Sequence, residues 1–220
     1  MNALSNKPSL KEQSLREEIC RVGASLFQRN YTVGSSGNIS ARLEDGWLIT
    51  PTDACLGMLD PALIAKVDAT GQWVSGDKPS KTLTLHRAVY DNNPTAQSVI
   101  HTHSTNLVAL TLAGVWSKDA VLPPITPYQV MKVGRIPLIS YCRPGHPKVG
   151  EQITTLANSV RGVLLERLGP VIWHTSILQA AAALEELEET ARLWMMLQEK
   201  PLALDEAEIA DLCQTFGVRW

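Results

Sequence analysis

The stretch Ser98-Val99-Ile100-His101-Thr102-His103-Ser104 reads as a β-strand that ends in two histidines one residue apart. Successive side chains on a strand point to opposite faces, and residues i and i+2 share one. Both imidazoles are therefore expected to leave the same side of the strand as close neighbours. Two imidazoles so placed are half of a divalent-metal site, and imidazole suits zinc, iron, nickel or copper better than magnesium or calcium. Taken alone, the pair reads more readily as two hydrogen-bonded histidines at a strand end.

Working outward, residues 9–28 carry Leu15, Ile19, Val22 and Leu26 at helical spacing. A Gly/Ser/Asn loop, Gly34-Ser35-Ser36-Gly37-Asn38, leads into a strand over 39–42. Asp45-Gly46 then turns the chain into a strand over 47–50. Short strands are expected at 63–67 and 73–74, and a helix over 83–92, after the polar loop Ser75-Gly76-Asp77-Lys78-Pro79-Ser80. Beyond the histidine strand come a helix over 106–113, a strand over 136–141, a helix over 149–160, and strands at 162–165 and 171–173. Thr175-Ser176 cap the longest helix, whose stripe is Ile177, Ala181, Leu184, Leu187, Ala191 and Trp194. Its acidic run, Glu185, Glu186, Glu188 and Glu189, reads as a solvated face. Mixed strands with helices on their faces predict a single α/β domain over 1–220, with 1–10 a flexible tail and 199–220 an appendage.

The bulk properties exclude several classes. At 220 residues, 45% hydrophobic and 19% charged, the chain is an ordinary globular protein long enough to bury a core. A net charge of −2 offers no basic surface for nucleic acid or an anionic membrane. Cys20, Cys55, Cys142 and Cys213 are scattered, with no metal-type or disulfide-type spacing, which fits a reducing compartment. The polar start of the chain has no signal-peptide core, and no apolar run approaches the 18 residues of a membrane span. A cytoplasmic protein is expected.

Three loops add chemistry. The glycines of Gly34-Ser35-Ser36-Gly37-Asn38 free the backbone to cradle an anion, and Asp77-Lys78-Pro79-Ser80-Lys81-Thr82 places hydroxyls and ammonium groups before a helix start. Thr50-Pro51-Thr52 is a third hydroxyl-bearing strand end. Alone, the first reads better as an ordinary glycine turn and the second as an N-capped helix start.

In order, Gly37-Asn38-Ile39-Ser40, Leu48-Ile49-Thr50-Pro51-Thr52, Lys78-Pro79-Ser80, His101-Thr102-His103-Ser104 and Ala183-Leu184-Glu185-Glu186-Leu187-Glu188 resemble the class II aldolase/adducin family. Within it, Gly76-Asp77-Lys78-Pro79-Ser80-Lys81 followed by Leu85-His86 is most similar to the branch of 3-oxo-tetronate 4-phosphate decarboxylases. The resemblance spans about residues 15–197. It implies an α/β fold with a central, largely antiparallel sheet flanked by helices, usually assembled as a homotetramer. It also implies a divalent metal, usually zinc, on His101, His103 and a third histidine. A pocket for substrate phosphate or carboxylate is implied at Gly37, Asn38, Thr52, Ser80 and Lys81. The activity implied is metal-dependent cleavage of a carbon–carbon bond in a small phosphorylated sugar acid, releasing a triose phosphate. The alternatives are a sugar-phosphate aldolase and an adducin-like binding protein.

Three positions depart from the family pattern. Asp53 stands where the aldolases have glycine, which puts a carboxylate beside the phosphate pocket. The catalytic glutamate position is Thr82, which is no general base near neutral pH without help. The third histidine position is Leu168, in Glu166-Arg167-Leu168-Gly169-Pro170. A leucine binds no metal, whereas catalytic zinc usually has three protein ligands. His174, six residues beyond Leu168, would join the pair only if the chain doubled back. His146 on its loop, and Glu166 and Arg167 beside the lost ligand, are the other polar groups in question, and Tyr128 is a candidate proton donor.

Overall fold

The structure, a computed structural model, describes residues 8–197 and 202–220. Apolar alternation in the strands dictates one sheet with two covered faces. In chain order the elements are α1 (Leu10–Gln28), β1 (Asn38–Arg42), β2 (Gly46–Ile49), β3 (Ala65–Asp68), β4 (Trp73–Ser75), α2 (Leu83–Asn92), β5 (Ser98–His101) and α3 (Thr105–Ala113). Then follow a π-helical turn (Gln129–Val133), β6 (Leu138–Ile139), α4 (Pro147–Leu156), β7 (Gly162–Leu165), β8 (Gly169–His174), α5 (Ile177–Met196) and α6 (Glu206–Phe216). The eight strands run in the order β4-β3-β2-β1-β5-β8-β7-β6. Every pair is antiparallel except β6 with β7.

The two faces bury different halves of the strand pattern. Ile39, Ala41, Leu48, Ile100, Leu164 and Ile172 pack with the apolar stripes of α1, α3 and α5. Trp47, Val67, Val99, Val163, Val171 and Trp173 pack under α2 and α4. His101, two residues after Val99, belongs by parity to the second face, where α2 lies across the sheet.

Several expected boundaries move for local reasons. The strand expected at 63–67 starts late because Pro61–Leu63 forms a 3-10 turn, with the Asp60 carboxylate accepting from Ala62 N at 2.8 Å. The strand expected at 136–141 contracts to β6, since Pro137 has no N–H and Leu138 N donates instead to Lys118 O at 2.8 Å. The helix expected at 149–160 is α4, started early by Pro147 at its first position and His146 as its cap. Residues 1–7 of the expected tail lie outside the described residues, while Ser9 already caps α1, its Oγ accepting from Glu12 N at 3.1 Å. Of the appendage, residues 198–201 lie outside the described residues. The remainder forms α6, which opens on an Asp205/Glu208 capping box and is anchored by Leu204 N donating to Pro124 O at 2.8 Å.

Candidate functional site

The site gathers at one end of the central strands. Asn38 at the start of β1 lies directly opposite His101 at the end of β5, and Ser40 lies opposite Val99. Asn38, Ser40 and His101 therefore share the face covered by α2, which brings His86 down onto them. Thr50 follows β2. Its N–H donates to Ile39 O at 3.0 Å, and its Oγ1 accepts from Ile39 N at 3.2 Å. The next segment is laid alongside by Ser80 N donating to Thr50 O at 3.2 Å and Thr52 N donating to Lys78 O at 2.9 Å. Four stretches distant in sequence thus form one wall in the order His101, Asn38, Thr50–Thr52, Lys78–Ser80.

Gly37 is required by this wall. Its φ is +85°, and a Cβ there would sit 2.9 Å from His101 O and 3.0 Å from Thr32 Oγ1. At the other end, Ser80 Oγ accepts from Thr82 N at 3.3 Å and lies 2.9 Å from Thr82 Oγ1. The Thr82 side chain is thus held beside the hydroxyl of Ser80. Asp53 takes a left-handed φ of 56° and turns outward, exposed, with its carboxylate 3.7 Å from Lys81 Nζ. Surface pairs of this kind are worth little, but this one draws the carboxylate toward the lysine.

The histidine wall is held as firmly as the first but has fewer donors. β5 ends at His101, and His103 lies in the irregular segment that follows. The two rings still meet, with centroids 5.1 Å apart and planes at 62°. His101 Nδ1–H donates to Pro170 O at 2.8 Å, which leaves the Nε2 lone pair available. Burial, reinforced by the neighbouring His103, pushes the His101 pKa down to about 4, and burial also lowers that of His103. Gly169, at φ +129°, packs so close that a Cβ would lie 2.2 Å from Thr102 O. That contact fixes Leu168 and Pro170 against the histidine segment.

The implied metal fits this wall in part only. His101 is oriented as a ligand and His103 stands beside it, but Leu168 supplies no donor and packs instead on the apolar cluster under α2 and α4. Among the described residues no group of three or more His, Cys, Asp or Glu side chains is placed to hold a metal ion. Glu166, two residues away, accepts from Tyr141 N at 2.7 Å. These residues do not make a three-ligand centre.

A cleft of about 520 Å³ opens over the histidine wall and brings together His101, Leu168, Lys81, Thr82, Glu166 and Arg143. His146 also borders it, exposed, as the cap of α4. Gly37, Asn38, Thr52, Ser80 and His103 adjoin this cleft through their neighbours in the wall but do not line it, and His174 and Tyr128 stand elsewhere. His174 lies opposite Ser98, at the far end of β5, roughly 10 Å along the strand from His101. It bonds to its own neighbour Thr175 and does not approach the pair. Tyr128 is 59% exposed at the start of the π-helical turn and is not part of the cleft lining.

The acidic run of α5 corrects an expectation. Glu188 is buried rather than solvated: Oε1 accepts from Asn106 N at 2.8 Å and Nδ2 at 2.9 Å, and Oε2 from Leu107 N at 2.9 Å. It satisfies the free N–H groups at the start of α3, directly after His103 and Ser104, and so anchors the histidine segment from behind. Burial pushes its carboxyl above the ordinary range, against the pull of those donors. The signal was present in the sequence, since position 188 falls on the stripe of Leu184, Leu187 and Ala191.

Against known proteins, the chain is 67% identical to a 3-oxo-tetronate 4-phosphate decarboxylase of Cupriavidus necator over 214 residues, covering 95% of this chain and 99% of that protein. It is 47% identical to the protein of the same name from Escherichia coli K12, over 91% of this chain and 96% of the relative. The crystal structure of YgbL from Escherichia coli superposes with a TM-score of 0.88 at 46% identity, covering 92% and 99% of the two chains. An L-fuculose 1-phosphate aldolase shares the fold at a TM-score of 0.83 and 21% identity, covering 97% of this chain and 99% of that one. By these relatives the protein stands among carbon–carbon lyases. Residues 17–195 match the model of the class II aldolase and adducin N-terminal domain, and the chain belongs to that family.

Proposed function

We propose that the chain decarboxylates a 3-oxo-tetronate 4-phosphate, a phosphorylated four-carbon sugar acid, to CO2 and a triose phosphate such as dihydroxyacetone phosphate. One observation carries the reading. The wall of Gly37, Asn38, Thr52 and Ser80 is intact and hydrogen-bonded, while the glutamate position is a threonine. A 3-oxo acid loses CO2 when the electrons of its C1–C2 bond move into the C3 ketone, and the resulting enediolate takes a proton at C2. That sequence needs no base to remove a hydroxyl proton at the outset, whereas retro-aldol cleavage does. Loss of the glutamate therefore damages an aldolase more than a decarboxylase. The identity to proteins named as this decarboxylase supports the same choice.

In this reading the Asn38 amide and the Thr52 and Ser80 hydroxyls bind the phosphate, which approaches closely because Gly37 has no side chain. Lys81 at the cleft mouth attracts the anionic substrate. Tyr128 does not line the cleft of a single chain; it or solvent returns the proton at C2. A divalent metal, zinc by family habit, would supply a Lewis acid for the ketone, and among the described residues His101 and His103 alone stand ready to hold it. A homo-oligomer, a tetramer by family habit, in the cytoplasm completes the proposal. Among the described residues no helix is long and apolar enough to cross a membrane.

The second reading is a binding protein that keeps the pocket without the reaction. Thr82 and Leu168 favour it, because together they remove the base and a ligand. Purified protein supplied with 3-oxo-tetronate 4-phosphate separates the two. The lyase reading expects equal amounts of CO2 and triose phosphate above the spontaneous rate. Saturable binding with no CO2 above that rate would instead establish the second.

A further inference from the structure

Beneath the phosphate wall lies a buried polar chain that the reaction does not use. Tyr90, Ser40, His86 and Asn38 are all buried. Ser40 Oγ is 2.7 Å from Tyr90 Oη and 2.7 Å from His86 Nδ1, and His86 Nε2 is 2.5 Å from Asn38 Oδ1. The direction of each bond follows from one end. Asn38 Oδ1 only accepts, so His86 Nε2 carries the proton. A neutral imidazole then accepts at Nδ1, so Ser40 donates to it and receives the Tyr90 O–H in turn. Burial favours the neutral ring, since it lowers the His86 pKa to about 3, with nearby His101 a smaller cause. One group is left over: among the described residues the Asn38 Nδ2 has no protein partner.

We propose that His86 is a positioning residue for anion binding, the centre of a Tyr90–Ser40–His86 relay that locks the Asn38 amide with its oxygen inward and its NH2 presented to the substrate phosphate. The inference rests on the reading of Gly37, Asn38, Thr52 and Ser80 as the phosphate pocket. A free asparagine samples both amide orientations, and one of them points a carbonyl oxygen at the anion. With His86 protonated at Nε2 the relay disfavours that orientation, and a buried network whose inner members are all paired is rigid.

Nitrogen-15 NMR on the unaltered protein, titrated with inorganic phosphate, tests it without any variant. The expected result is a His86 ring protonated at Nε2 and bare at Nδ1, with the Asn38 side-chain NH2 signals shifting on phosphate binding. Affinity for phosphate should fall about threefold in Tyr90→Phe and about tenfold in His86→Phe, while His86→Gln, which keeps a donor toward Asn38, recovers most of the loss. In an Asn38→Ala background, His86→Phe should cost nothing further. A His86 protonated at Nδ1, or additive losses in that double variant, would overturn the relay while leaving the pocket standing. Phosphate that leaves the Asn38 amide signals unmoved would overturn the pocket reading, and the relay with it.

Discussion

The phosphate pocket proposed above and the histidine wall differ in how far each departs from the family pattern. The phosphate wall keeps Gly37, Asn38, Thr52 and Ser80, supported from below by His86, Ser40 and Tyr90. The histidine wall keeps its backbone, held by Pro170, Gly169 and Glu188, but has Leu168 at a ligand position, and Thr82, held on Ser80 where the pocket meets the cleft, replaces the family glutamate. A scaffold can thus preserve the geometry of a site while its reactive groups change, because backbone and reactive side chain are secured by different contacts. On the proposed function, binding and bond cleavage rest on different residues, and each set can be tested against the other.

The largest effect is expected at the histidine wall. Leu168→His should complete the ligand set and tighten zinc binding more than about 100-fold, since even an outer-shell partner is worth up to that much. Zinc per chain after dialysis against a chelator, compared with the unaltered protein, reads this directly. An unchanged stoichiometry would mean that the wall has lost more than one ligand. On the phosphate wall, Asn38→Ala should weaken a phosphorylated ligand by about 1.5–3 kcal/mol, the worth of a hydrogen bond to a charged group. Calorimetry that finds no loss would break the assignment of that wall.

A third effect comes from the support beneath. His86 is held neutral with its pKa lowered from 6.5 to about 3. A lowered histidine contributes stability that is present above 6.5 and drains away as pH falls toward 3, by about 1.4 kcal/mol per pH unit within that window. Urea midpoints between pH 7 and 5 should fall in the unaltered protein and stay flatter in His86→Gln; parallel slopes would contradict the assignment. The smallest effect belongs to Asp53→Gly. Removing a side chain from the left-handed φ of 56° relieves strain, offset in part by the added freedom of the unfolded chain, for a net gain of about 0.5 kcal/mol. Phosphate affinity should rise a few-fold as the carboxylate leaves. A stability loss would show that the Asp53–Lys81 pair outweighs the strain.

The fold was legible where periodicity is long, as in α1 and α5, and where alternation meets a clear turn, as at β1 and β2. It was least legible at β6, where Pro137 and an edge position leave two residues of strand. The His101–His103 adjacency came directly from the strand period, although β5 stops at the first of the two. Glu188 was hidden because its neighbours Glu185, Glu186 and Glu189 are at most partly buried, and composition outweighed its place on the apolar stripe. His86 falls on the helix expected over 83–92, but its partners Ser40 and Asn38 lie on β1, more than 40 residues earlier, and only the packing of α2 on the sheet brings them together. His174 failed as a ligand for a topological reason. β8 runs antiparallel to β5, which carries its last residue away from His101.

The central claim is that the phosphate wall works while the histidine wall has been altered. It is tested most directly by calorimetric titration of the unaltered protein with a four-carbon sugar acid 4-phosphate, its 3-keto group reduced to a hydroxyl, and with the same acid lacking the phosphate. The account predicts that the phosphorylated acid binds at least about tenfold tighter, the worth of one hydrogen bond to a charged group, and that Asn38→Ala abolishes most of the difference. Equal affinity for the two acids would contradict it.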